Sequence, residues 1–196
     1  HIGLDGYGEP GVDINERNDI CCPQLRAIDG VNPMDESFVY ARSAGITCVC
    51  TGPGSANVLG GTFTAIKTAG TRIDDMIVKK EAAMKCAFGE NPKRCYASKC
   101  DSSRMTTAAI LREALMKARL YLQKKEAAGD DVFRQPAFDM KLEALIPVLR
   151  GQIPLKAHAH RADDIFTAIR IADEFGVRLT LEHTTEGHLI ADELAK

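Results

Sequence analysis

The chain has 196 residues, 45% hydrophobic and 27% charged, a globular composition that excludes disorder, collagen-like repeats and low-complexity sequence. Lys+Arg 25 against Asp+Glu 27 gives a net charge of −2 with no basic block, so a nucleic-acid partner is not expected. One domain over residues 1–196 is the simplest reading of this length.

The longest apolar runs, such as the stretch from Gly45 to Cys50, are too short to cross a bilayer, and no signal-peptide pattern opens the chain. A cytoplasmic protein without a membrane partner is therefore expected. Cys21, Cys22, Cys48, Cys50, Cys86, Cys95 and Cys100 form no CxxC pair, and their odd count does not read as a disulfide framework. The chain opens at His1 with His1-Ile2-Gly3-Leu4-Asp5-Gly6, which looks like the middle of a strand and its loop, so a fragment of a longer protein is expected.

From His1 to about Pro33 the sequence is rich in Gly, Asp, Asn and Pro, which predicts a long loop. Met34 to Ala44 predicts a short helix stopped by Gly45, and Ile46 to Thr51 a buried strand. Gly52 to Asn57, with Gly60 and Gly61, reads as a tight loop; it lacks the Lys of a P-loop and the spacing of a dinucleotide fingerprint. The stretch Ile73 to Phe88 holds two short β-like pieces, Met76 to Val78 and Met84 to Phe88, ends in Gly89-Glu90-Asn91-Pro92, and reads either as strands or as a helix. Helical periodicity runs from Thr106 to about Ala128 and from Phe138 to Leu149. Ile153 to His158 is strand-like, Asp163 to Phe175 helix-like with Gly176 at its stop, and Val177 to Glu182 strand-like again. That is a βαβ unit, and such units build α/β sheets and (β/α) barrels.

Four of the five histidines, His158, His160, His183 and His188, lie late in the chain. His158 and His183 end successive predicted parallel strands, the edge at which α/β folds place their active sites. Two neutral imidazoles there can converge on one divalent cation such as zinc. Strand alternation puts Lys156, His158 and His160 in one set and Leu179, Leu181 and His183 in another, so both strand-end histidines are expected to face the barrel axis. His160 binds substrate, orients a ligand or caps the next loop; His188 reads as a supporting or surface residue.

The run His158-Ala159-His160-Arg161-Ala162-Asp163-Asp164-Ile165, followed by Leu181-Glu182-His183, resembles the strand-five and strand-six metal motifs of the amidohydrolase superfamily, in its imidazolonepropionase-like and Xaa-Pro-dipeptidase-like branches. His1-Ile2-Gly3 resembles the second half of that family's strand-one His-x-His motif. The resemblance implies a (β/α)8 TIM-barrel-type metal-dependent hydrolase, incomplete, with about strands one to six present. It implies one or two divalent ions, zinc in the first place, held by His1, His158 and His183. The bridging ligand would be Glu90, with Lys85, carboxylated, as the second candidate; a solvated loop acid is the competing reading of Glu90. His160 is the candidate catalytic residue. The family's acid/base Asp, at the end of strand eight, has no counterpart in this sequence, and a closed barrel takes about 250 residues.

The activity implied is hydrolysis of a C–N bond in an amide, cyclic amide or small peptide by a metal-activated water. An N-acetyl-sugar deacetylase of the same superfamily is the alternative, since such enzymes use a Glu ligand placed like Glu90. A non-catalytic relative serving in binding or assembly is the third reading. The expected partner is a small-molecule or short-peptide substrate recognised by the loop from Leu4 to Asn32. Exposed apolar faces of an incomplete barrel would favour a homo-oligomer.

Overall fold

The computed structural model describes residues 1–6, 11–98 and 102–196; Cys100 and the Tyr7–Pro10 part of the N-terminal loop lie outside them. Five strands form one mixed sheet in the order β1-β2-β3-β4-β5, curled as a half-barrel. They are β1 (Cys48–Thr51), β2 (Leu59–Lys67), β3 (Ile77–Ala87), β4 (Leu155–Ala159) and β5 (Leu179–His183). The helices are α1 (Glu36–Ser43), α2 (Ile73–Met76), α3 (Glu90–Tyr96), α4 (Arg104–Ala128), α5 (Met140–Leu149), α6 (Ala162–Phe175) and α7 (Ala191–Leu194).

This architecture replaces the expected (β/α)8 barrel with six strands. His1 to Asp5 is a turn rather than a first strand, closed by a bond from Leu4 N to His1 O at 2.9 Å. β1 pairs antiparallel with β2, and β2 antiparallel with β3, so no helical crossover joins these strands. Only β3, β4 and β5 are parallel, with α6 as the crossover of the βαβ unit read from the sequence. β1 is also less buried than the apolar run Ile46 to Thr51 suggests: Cys48 and Cys50 are exposed, and only Thr51 is buried.

β2 begins in the Gly60–Gly61 segment that reads as a loop. The reason is steric. Gly61 has φ 108, and a Cβ there would collide with the backbone carbonyl of Leu25. The N-terminal segment runs beside β2 at this point, with Cys22 N bonded to Leu59 O and Thr62 N to Leu25 O, each at 2.8 Å. β3 is one continuous strand, which resolves a stretch whose sequence leaves short strands or a helix open, and only Ile73–Met76 before it is helical.

The main core lies on one face of the parallel strands. Met84, Cys86, Leu155, Ala157, Ala159, Leu179 and Leu181 face Leu111, Leu115, Leu145, Ile165 and Ile171 of α4, α5 and α6. α4 starts on a capping box between Ser103 and Thr106, and α6 stops at Gly176 in the left-handed conformation. A smaller core of Leu4, Val31, Phe38, Ile66 and Met76 ties the N-terminal segment and α1 to the antiparallel strands.

Candidate metal centre

Alternation along the strands sends the other side chains of β3, β4 and β5 to the opposite face. Lys85 pairs in register with Lys156, Ala87 with His158, and His158 with Glu182, so Lys85, Lys156, His158 and Glu182 share that face. Lys85 is buried, and desolvation pushes its ammonium below its ordinary value against the pull of Glu182, whose Oε2 is 3.8 Å away. Burial raises Glu182, but the 2.5 Å bond from Lys156 and the charges of Lys156 and Lys85 outweigh it and hold its carboxyl below the usual range.

The strand ends gather the histidines. Glu90, His158 and His160 bring their ligand atoms within 4.8 Å of one another. The rings of His158 and His160 meet edge to face at 4.6 Å, His158 and His183 at 4.6 Å, and His160 and His183 stack at 5.0 Å. Burial, then the positive charges of Lys85, His183 and His160, lower His158 to about 4, so its imidazole is neutral at pH 7. Desolvation, then His160 and Lys85, holds His183 low as well. His158 Nδ1 is buried without a hydrogen-bond partner, while Asn91 Nδ2 lies 2.9 Å from His158 Nε2.

Glu90 opens α3, an element hidden in the sequence by Gly89-Glu90-Asn91-Pro92. Pro92 is tolerated because it falls in the first helical turn, and Gly89, with φ 79, supplies the bend out of β3. A Cβ on Gly89 would sit 2.7 Å from Asp164 Oδ2. Asp164, itself buried, accepts from Arg104 Nε at 2.9 and 3.2 Å, and Arg104 Nη2 reaches Glu90 Oε2 at 3.9 Å. The backbone N–H at its own helix start holds Glu90 below the usual carboxylate range, with His160, His158 and Arg104 adding to it against a desolvation that raises it.

His183 reaches this face by a different route from strand alternation. Its register partner is Ala159, which packs on the helix side, and only the left-handed backbone at His183, φ 67, turns its ring toward His158. His1 is not one of the three residues whose ligand atoms gather within 4.8 Å; its Nδ1 donates to Gly52 O at 2.6 Å, just after β1. His188 is exposed, with Nδ1 3.1 Å from Thr185 O. Sequence reasoning passed over Asn91, Arg104 and Thr185, and no spacing signal marks them; Lys156 shared a parity with His158, the one trace of its place.

The site is thus a candidate three-residue N, N, O donor set at the C-terminal edge of the parallel strands of an α/β domain. No family model matches the chain. It is 29% identical over 214 aligned residues to "Amidohydrolase tasK" of Hapsidospora irregularis, covering 98% of this chain and 21% of that protein. The crystal structure of an amidohydrolase from Thermotoga maritima MSB8 is 45% identical with a TM-score of 0.95, covering 100% of this chain and 52% of that one. The chain thus spans about half the length of the solved structure and a fifth of the curated relative. Both likenesses support a hydrolase of the amidohydrolase type. Among the described residues no helix is long and apolar enough to cross a membrane.

Proposed function

We propose that this chain carries the metal-binding centre of a hydrolase that cleaves a carbon–nitrogen bond in an amide, cyclic amide or small peptide. The observation that carries the reading is the convergence of Glu90, His158 and His160 from two parallel strand ends, with His183 against both imidazoles. The residues fit a divalent cation such as zinc. His158 is neutral and has a buried ring nitrogen with no partner, which costs about 1–3 kcal/mol when left unmade. With the Asn91 amide turned so that Oδ1 accepts from Nε2–H, Nδ1 of His158 keeps its lone pair for the cation.

Glu90, His158 and His160 would hold the cation, with His183 and His1 as the further ligands that the sequence resemblance implies. When bound, the cation polarises a carbonyl oxygen and lowers the pKa of a bound water. The chain's own residues orient the ligands: Asn91 sets the tautomer of His158, and Arg104 steers the Glu90 carboxylate. Lys156 and Glu182 keep the floor of the centre charged but paired, and the Phe63 ring, 5.7 Å from Lys85 Nζ and 5.4 Å from Lys156 Nζ, screens that floor. Lys85, on the same face, is the second candidate for the anionic ligand once carboxylated. A small molecule or short peptide is the substrate this centre suits.

Deacetylation of an N-acetyl sugar is the second reading, favoured by a Glu rather than a modified Lys as the acidic member of the gathered group. Calorimetric titration of the purified chain with Zn²⁺ tests the centre. Glu90→Gln, His158→Asn and His160→Asn are each expected to weaken binding by more than about 100-fold, beyond the roughly 10- to 100-fold that loss of an outer-shell partner costs. No binding by the unsubstituted chain after reconstitution overturns the reading and leaves a non-catalytic relative. Acetate release from acetylated sugars, against turnover of dipeptides or cyclic amides, separates the two substrate classes.

A further inference from the structure

The turn after β5 holds the only two non-glycine residues among those described with left-handed backbone, His183 with φ 67 and Thr184 with φ 50. For a β-branched threonine this conformation is a true outlier, and such strain persists only where the surroundings over-determine it. The surroundings here do so. Thr184 N bonds to Ala159 O at 3.0 Å, Glu186 N to His160 O at 2.9 Å, and Glu186 Oε2 accepts from Ala162 N at 2.9 Å. Arg161, at the N-cap of α6, makes no capping bond of its own, so Glu186 performs that task from the neighbouring turn. The β5 turn is therefore stapled by two bonds to the end of β4 and by a third to the start of α6.

Folded back in this way, the turn sets Thr185 Oγ1 2.6 Å from His160 Nδ1. We infer that Thr185 is a positioning residue: it accepts a hydrogen bond from His160 Nδ1–H and so presents Nε2, with its lone pair, to a cation shared with Glu90 and His158. The same strained pair, His183–Thr184, brings the His183 ring onto His160 and Thr185 Oγ1 to the Nδ1 of that ring. One turn thereby fixes both the orientation and the tautomer of His160. This rests on the reading of His160 as a ligand. A hydrogen bond at the non-ligating nitrogen is the usual means by which proteins fix a ligand histidine.

The test begins on the cation-free chain. Nitrogen-15 NMR of the His160 ring is expected to show the Nδ1–H tautomer in the unsubstituted chain and in Thr185→Ser, which keeps the hydroxyl. Thr185→Val should move the ring toward the Nε2–H form that free imidazole favours in water. Thr185 is exposed, so the valine variant is expected to fold, and an unchanged thermal midpoint checks that. Titration with Zn²⁺ should then show a roughly 10- to 100-fold loss of affinity for Thr185→Val and recovery in Thr185→Ser. An unchanged tautomer and affinity in Thr185→Val overturns the positioning role. Undiminished Zn²⁺ affinity in His160→Asn overturns instead the ligand reading beneath it.

Discussion

Across β3, β4 and β5 the strands are parallel, and the crossovers that join them run through helices, so each strand ends at the same edge of the sheet. Across β1, β2 and β3 they are antiparallel, their ends alternate, and the links are loops and the single turn of α2. The parallel part delivers Lys85 to Glu90, His158 to His160, and His183 to one place, because three successive chain segments turn there. The antiparallel part has no such shared edge, and what it offers the centre is a wall: Phe63 against Lys85 and Lys156. Its cover differs too, an irregular N-terminal segment and one short helix in place of α4, α5 and α6. Side chains converge where strands run the same way, and rigidity there comes from the large core on the other face.

If that core is what holds the centre, damage to it should exceed damage anywhere else. Leu115, fully buried in α4, is expected to cost about 4 kcal/mol on substitution by Ala, read by urea unfolding. A cost near 1 kcal/mol would mean that the helix layer is loosely packed and the comparison fails. Next comes the charge pair under Gly89. Arg104→Ala strands the Asp164 carboxylate, whose side chain is 4% exposed, and is expected to cost about 3 kcal/mol, with partial recovery in Arg104→Lys. The same variant should weaken Zn²⁺ binding through Glu90, whereas a stability loss with unchanged binding would make Arg104 purely structural.

Acid sharpens the comparison further, because the parallel edge carries the perturbed histidine. In the cation-free fold His158 takes its proton at about 4, whereas in the unfolded chain it does so near 6.5. Between those values the unfolded state binds more protons, so stability rises with pH across that window. The contribution is complete above about pH 6.5 and gone below about pH 4, with an upper magnitude of about 3 kcal/mol. Thermal midpoints from pH 4 to 7 should lose most of this slope in His158→Gln. An identical slope in the variant would place the acid sensitivity elsewhere.

The two parts were also unequally readable. α4, α6, β4 and β5 follow directly from period and stop signals, because each buries one regular face: Ile165, Ala168 and Ala172 in α6, Leu155 and Ala157 in β4. β2 was hidden because the backbone of Leu25 occupies the space beside Gly61, so the residues that permit the strand are those that normally break one. α3 was hidden by a proline that the first helical turn accepts. His158 could be placed by physics alone, as a strand-end imidazole. Glu90 came only from the family resemblance, and the path of His183 was misjudged, since alternation puts it on the helix side and a left-handed residue is what returns it. Thr185 carried no signal, as its role depends on a turn that no local pattern announces.

The smallest expected effect lies on β1, and it tests whether the antiparallel edge bears any load. Cys48 and Cys50 are exposed there two residues apart, so serine at either is expected to shift stability by no more than about 0.5 kcal/mol. Cys86 lies fully buried on the packed face of β3, and desolvation pushes its thiol up to about 12. A thiol reagent such as dithionitrobenzoate should therefore modify Cys48 in the native protein, Cys50 more slowly because burial pushes its thiol up, and Cys86 only on unfolding, since attack needs both access and thiolate. Mass mapping of the modified cysteines over a urea series reads both halves at once. Labelling of Cys86 before the main transition would show the parallel half opening first, reversing the order of rigidity on which the centre depends.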